Sequence, residues 1–170
     1  SVRMSHPPMS VRPRQRCGGP STYLWWDRPQ AGTVAKYRLD EPVDPEVMLV
    51  GISSHVNDYR LCWALNRQLG INLVRREQDI VEPGARTEAR FAVFDHTDAD
   101  SNARFTLVNN HGDDAILVKE QRMADFFLVV DQAAALDAPT LLAQVRESEF
   151  VLTAFPLQIQ DLRAGHKLLQ

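Results

Sequence analysis

The sequence predicts an α+β domain, a mostly antiparallel sheet with two main helices on one face. Three observations carry that prediction. Apolar runs of strand length, "VMLVGI" (residues 47–52) and "FVLTAF" (150–155), open and close the ordered part. Two stretches of helical spacing, "RLCWALNRQL" (60–69) and "APTLLAQVRESE" (138–149), stand beside them. Between those helices the apolar residues fall into several short runs with no further helix among them. That is the pattern of strands gathered into one sheet.

At 170 residues, 44% hydrophobic and 24% charged, the chain has the size and composition of one ordinary globular domain. Its charge is unevenly placed. Residues 1–33 carry five arginines against the single acid Asp27, so this stretch is +4 and, from the net −3, the remainder is −7. An acidic body argues against nucleic acid as a partner, because phosphate backbones call for clustered Lys and Arg. No apolar run has the length of a membrane span. Cys17 and Cys62 lie in contrasting contexts and form no C-x-x-C pair, so neither a disulfide nor a zinc site is expected.

Residues 1–33 hold five of the ten prolines and no lasting period, and are expected to be a disordered basic extension. The alternative is a basic arm that docks an acidic partner through Trp25 and Trp26. A single domain is expected over 34–170. "AKYRLD" (35–40) alternates like an edge strand, and "EPVDPE" (41–46) is a proline-set turn. After the strand 47–52 and the helix 60–69, Gly70 is placed to end the helix in the left-handed conformation. "INLVRREQDI" (71–80) reads as the returning strand. "TEARFAVFDH" (87–96) and "ARFTLVNN" (103–110) flank the polar "TDADSN" and read as a hairpin. "AILVKE" (115–120) and "ADFFLVVD" (124–131) read as two further strands. Asp137 precedes Pro139 as a cap for the second helix. The last fifteen residues read as a short helix or an extended tail. A β-α-β pattern at each end permits a ferredoxin-like or ACT-like arrangement.

The stretch "LVGISSHVNDYRLCWALNRQLGINL" (49–73) is the best specified and holds the candidate site. On a helical wheel Leu61, Cys62, Leu65 and Leu69 share one stripe, which makes Cys62 a small core residue. Tyr59, Trp63 and Asn66 form a flank beside it, a candidate interface. Ser53, Ser54, His55 and Asn57 are the candidate binding residues of the turn. Ser54 or Asn57 also suits a helix cap, and Asp58 suits the positive end of the helix dipole. His55 has no ligand partner at i+4.

No P-loop, dinucleotide fingerprint, zinc-protease helix or nucleophile elbow occurs. "DADSNARFTLVN" begins like a calcium loop, but Ala103 replaces its glycine and Asn109 its bidentate glutamate. The histidines at 6, 55, 96, 111 and 166 make no metal spacing. No metal, cofactor or catalytic constellation is therefore expected.

From about Lys36 onward the chain resembles the bacterial IPExxxVDY family. The residues that carry this are 49–73, "VKEQRMADFF" (118–127) and "LTAFPL" (152–157). The family's name motif falls on Val118-Lys119-Glu120 and, three residues on, Ala124-Asp125-Phe126, with Glu120 and Asp125 matching. The resemblance implies a small cytoplasmic housekeeping protein and supplies no catalytic residues. A local likeness to ACT domains over 47–73 implies small-metabolite binding at the turn 51–57.

Three functions follow as expectations. The first is a cytoplasmic, non-catalytic interaction domain, self-associating as a homodimer through its sheet edge or the Tyr59/Trp63 flank. The second is an ACT-like regulatory domain. The third is an enzyme with His55 as general base.

Overall fold

Apolar residues on both sides of the central strands divide between two cores, one on each face of an antiparallel sheet. The computed structural model describes residues 47–84, 87–131, 133–134 and 136–170. All lie within one compact unit, Glu41–Gln170. The extension 1–33, the strand expected at 35–40 and the turn at 41–46 lie outside the described residues.

The elements run β1 (Val47–Ser53), α1 (Asp58–Leu69), β2 (Val74–Arg75), β3 (Ile80–Pro83), β4 (Glu88–Phe91), β5 (Val93–Thr97), β6 (Arg104–Asn109), β7 (Phe126–Asp131), α2 (Ala138–Glu147) and β8 (Thr153–Leu157). Among the described residues the main sheet has the order β2-β5-β6-β7-β1-β8, with every neighbouring pair antiparallel. β3 and β4 form a separate two-stranded ribbon. Four of the strands, β8-β1-β7-β6, have the order of a ferredoxin-like sheet, with α1 following β1 and α2 joining β7 to β8. The α+β class is as the sequence predicts.

Both helices pack on one face. Leu61 and Leu65 of α1 and Leu141 and Val145 of α2 share a core with Val50, Ile52, Leu107 and Leu128. The opposite face carries Leu49, Val108, Phe127 and Val129, covered by the β3–β4 ribbon, the segment before β7 and the C-terminal turns through Leu162 and Leu168. This second layer explains why β7 reads "FFLVV" without alternation, since a strand buried on both faces has no polar side.

Helix ends follow local chemistry. Asn57 caps α1 by accepting the N–H of Arg60, and Gly70 closes it at φ 68°. Asp137 caps α2 by accepting the N–H of Thr140, and the Thr140 side chain first, then that N–H, lowers its pKa by hydrogen bonding. Cys62 lies buried on the α1 stripe as expected, and burial first, then the nearby Asp58 charge, pushes its thiol up to about 11.

Several expected strands are corrected. Only Val74–Arg75 of 71–80 joins the main sheet, because Arg75 turns back on Asp79 and releases Ile80 into the ribbon. The run 87–96 divides at Ala92, whose carbonyl accepts from Asn109, into β4 and β5 in different sheets. The segment 115–120 is no strand: an isolated bridge joins His111 to Ile116, and a 3₁₀ turn occupies Lys119–Gln121. Its would-be ladder groups are taken by Asn110, which accepts Val118 N–H through Oδ1 and Leu117 N–H through its carbonyl. The last strand begins at Thr153 rather than 150, because Phe150 sits at φ 69° in the turn after α2. The C-terminal segment forms 3₁₀ turns at Ile159–Asp161 and Gly165–Leu169.

Asn110 is fully buried and also donates through Nδ2 to the carbonyls of Gln121 and Ala124. Asn110→Ala strands Val118 N–H and both carbonyls, and is expected to lower unfolding free energy by about 3 kcal/mol in urea titrations. Thiol labelling of Cys62 in the native protein should track global unfolding, with negligible reaction below it, because the nucleophile is the thiolate.

Candidate functional site

The polar turn between β1 and α1 is held from two sides. Gly51 sets its approach: a Cβ there would stand 2.8 Å from the Phe155 ring of the neighbouring strand. At the end of β1, Ser53 Oγ donates to Asp125 Oδ2 at 3.0 Å and Ser54 N–H donates to the same oxygen at 2.8 Å. Asp125 in turn gives its own N–H to Ile52 C=O, locking the start of β7 onto the end of β1. Ser54 Oγ donates to Phe150 C=O at 2.8 Å, which ties the same turn to the chain leading into β8. The Arg60 guanidinium lies 4.6 Å from the centre of the Phe150 ring and covers that contact.

His111 completes the group, with Nε2 3.3 Å from Asp125 Oδ1. The order of contacts decides the chemistry. Ser53 and His111 meet the carboxylate from either side, and the Ser53 hydroxyl donates to Asp125 instead of to an imidazole. A nucleophilic serine needs a base that takes its proton, so this arrangement orients side chains without activating Ser53.

The expected site residues are therefore separated by the fold. Ser53 and Ser54 enter the Asp125 clasp, and Asn57 rather than Ser54 is the helix cap. The backbone N–H groups of Ser54, Val56, Tyr59 and Arg60 all find acceptors within the turn or on Asp125. His55 is exposed and makes no side-chain hydrogen bond or ion pair among the described residues. Asn66 leaves the flank altogether: its amide accepts Leu73 N–H at 2.7 Å and donates to Leu73 C=O, pinning the chain into β2. Tyr59 and Trp63 remain 61% and 53% exposed. Tyr59 also meets Phe94 edge-on at 5.5 Å, while the Arg67 guanidinium lies 5.6 Å over the Trp63 ring.

The sheet edges offer little to a partner strand. Ile52 directs its carbonyl toward β7, so its partner Ala154 turns its own N–H and C=O outward. Arg146 Nε occupies that carbonyl at 2.8 Å. Two residues on, Pro156 faces outward with no N–H to give. At the other edge β2 is two residues long.

Sequence reasoning read His111 as a turn residue and missed its place beside Asp125. Local sequence carries no signal for it, because only the folding of the β6–β7 connection brings the two residues together. Among the described residues no three His, Cys, Asp or Glu side chains gather as a metal site, and no helix is long and apolar enough to cross a membrane. No family model, curated protein or solved structure matches the chain.

Chemical denaturation should rank the turn residues by their bonds. Asp125→Ala is expected to cost about 2–3 kcal/mol, since Ser54 N–H loses its acceptor. Asn57→Ala should cost about 1 kcal/mol as a lost cap, and His55→Ala should stay within about 0.5 kcal/mol of the parent.

Proposed function

We propose that the chain is a bacterial, cytoplasmic, non-catalytic interaction domain of the IPExxxVDY kind that self-associates through the exposed flank of α1. The observation that carries this reading is the pair Tyr59 and Trp63, exposed one turn apart with Arg67 against the indole. Trp, Tyr and Arg are the side chains enriched at interface hot spots, where Trp and Tyr bury large area at little conformational cost. The blunted β8 edge and the short β2 leave side-chain packing, rather than strand addition, as the route to a homodimer.

The family reading is supported by the work that Asp125, a matched motif position, does in closing the β1–α1 turn. An ACT-like ligand at that turn would compete with bonds the protein already makes to itself. Catalysis by His55 would need an orienting partner for its ring.

Analytical ultracentrifugation over a concentration series tests the proposal. The parent should show a reversible dimer, and Trp63→Ala should raise its dissociation constant about tenfold or more while the melting temperature holds. A chain that stays monomeric throughout, or a variant that dimerises equally well, would refute it.

A further inference from the structure

We propose that the open cleft beside the Asp125 clasp binds the phosphate group of a small phosphorylated metabolite, with Lys119 and Arg122 as its anion-holding side chains. The inference is independent of the α1 flank and stands whether or not the chain dimerises.

The cleft has a volume of about 550 Å³ between the end of the β3 strand and the segment joining β6 to β7. That is the size of a small-molecule site, and too small to enclose a folded partner. Lys119, Arg122 and His111 stand on its wall, against Asp114 as the only acid there among the described residues. Lys119 and Arg122 are exposed and, among the described residues, neither has a carboxylate partner. Arg75, Arg76 and Lys167, by contrast, are paired with Asp79, Asp95 and Glu82. Glu82 and Glu120 line the adjoining cleft, whose wall Lys119 shares, and Lys167 holds Glu82 at 2.6 Å.

What makes this more than a surface cluster is the backbone that carries it. Lys119 and Arg122 project from a segment without regular secondary structure beyond one 3₁₀ turn. The buried Asn110 amide nonetheless bonds it at Val118, Gln121 and Ala124. The bases therefore branch from positions between those anchors, Lys119 just after Val118 and Arg122 just after Gln121. His111 follows Asn110 directly and is steadied by Asp125. Backbone fixed before the ligand arrives spares the cost of ordering a loop, which leaves only the Lys119 and Arg122 side chains to be fixed on binding. Two cationic side chains suit the dense charge of a phosphate ester, and charge-assisted bonds of this type are the strong ones. The acidic body disfavours a polyanion and leaves a small ester as the ligand the cleft admits.

Isothermal titration of the full chain at low ionic strength tests the site, with ribose 5-phosphate and inorganic phosphate as probes and ribose as the uncharged control. Saturable binding of both phosphates and none of ribose is expected. Lys119→Ala and Arg122→Ala should each weaken ribose 5-phosphate about tenfold or more. Arg104→Ala, in a separate cavity, should leave the affinity unchanged. All three side chains are exposed, so melting temperatures should match the parent and separate lost binding from lost folding. Absence of saturable binding up to about 10 mM phosphate probe, equal binding of ribose, or full affinity in the Lys119→Ala/Arg122→Ala double variant would overturn the assignment.

Discussion

Ser54 is the point on which the described fold closes. Its N–H reaches the Asp125 carboxylate at the start of β7, and its hydroxyl reaches the Phe150 carbonyl ahead of β8. β1 lies between β7 and β8 in the sheet, so one residue at its end sets the starting points of both neighbours. The bonds are made where a strand's last groups and a helix's first amides would otherwise go unpaired, and leaving such groups buried without partners is expensive. Asp125 serves both ends of this arrangement: its backbone extends the sheet and its side chain seats the turn.

Asn110 does for the β6–β7 connection what Ser54 and Asp125 do for the β1–α1 turn. An irregular segment that covers one face of a sheet has backbone groups that no ladder satisfies. One buried amide with two donors and an acceptor supplies partners for three of them, so Leu117, Val118 and Ala124 can be buried in the second core. Scaffold and surface are thereby separated. The residues that hold the chain in place are short polar side chains turned inward, whereas Trp63, Lys119 and Arg122 project from elements already secured.

α1 was legible in nearly every respect, because its signals are local. The left-handed Gly70 and the apolar stripe through Leu61, Cys62 and Leu65 act within a few residues, and the choice of Asn57 over Ser54 as cap waited on the fold. The hairpin of β5 and β6 and the Asp137 cap of α2 were legible for the same reason. The segment 115–120 was not. Its apolar run has a strand's composition, and only the position of Asn110 reveals that its hydrogen-bonding groups are already taken. Asn66 misled in a similar way: helical spacing placed it with Tyr59 and Trp63, but a side-chain amide turns toward unpaired backbone when some lies within reach, here at Leu73.

By itself the sequence determined the α+β class, the two helices, the Asp137 cap, the central strands β1, β6 and β7, and the buried setting of Cys62. Those follow from propensity, period and capping, which neighbouring residues settle among themselves. Tertiary structure alone decided that the sheet is covered on both faces, that 71–96 divides between two sheets, and that the β8 edge is closed by Arg146 and Pro156. It also decided that His111 and Ser53, from separate chain segments, both meet Asp125. Each depends on pairing between groups far apart in the chain, where many partners satisfy the same local pattern and only the folded arrangement selects one.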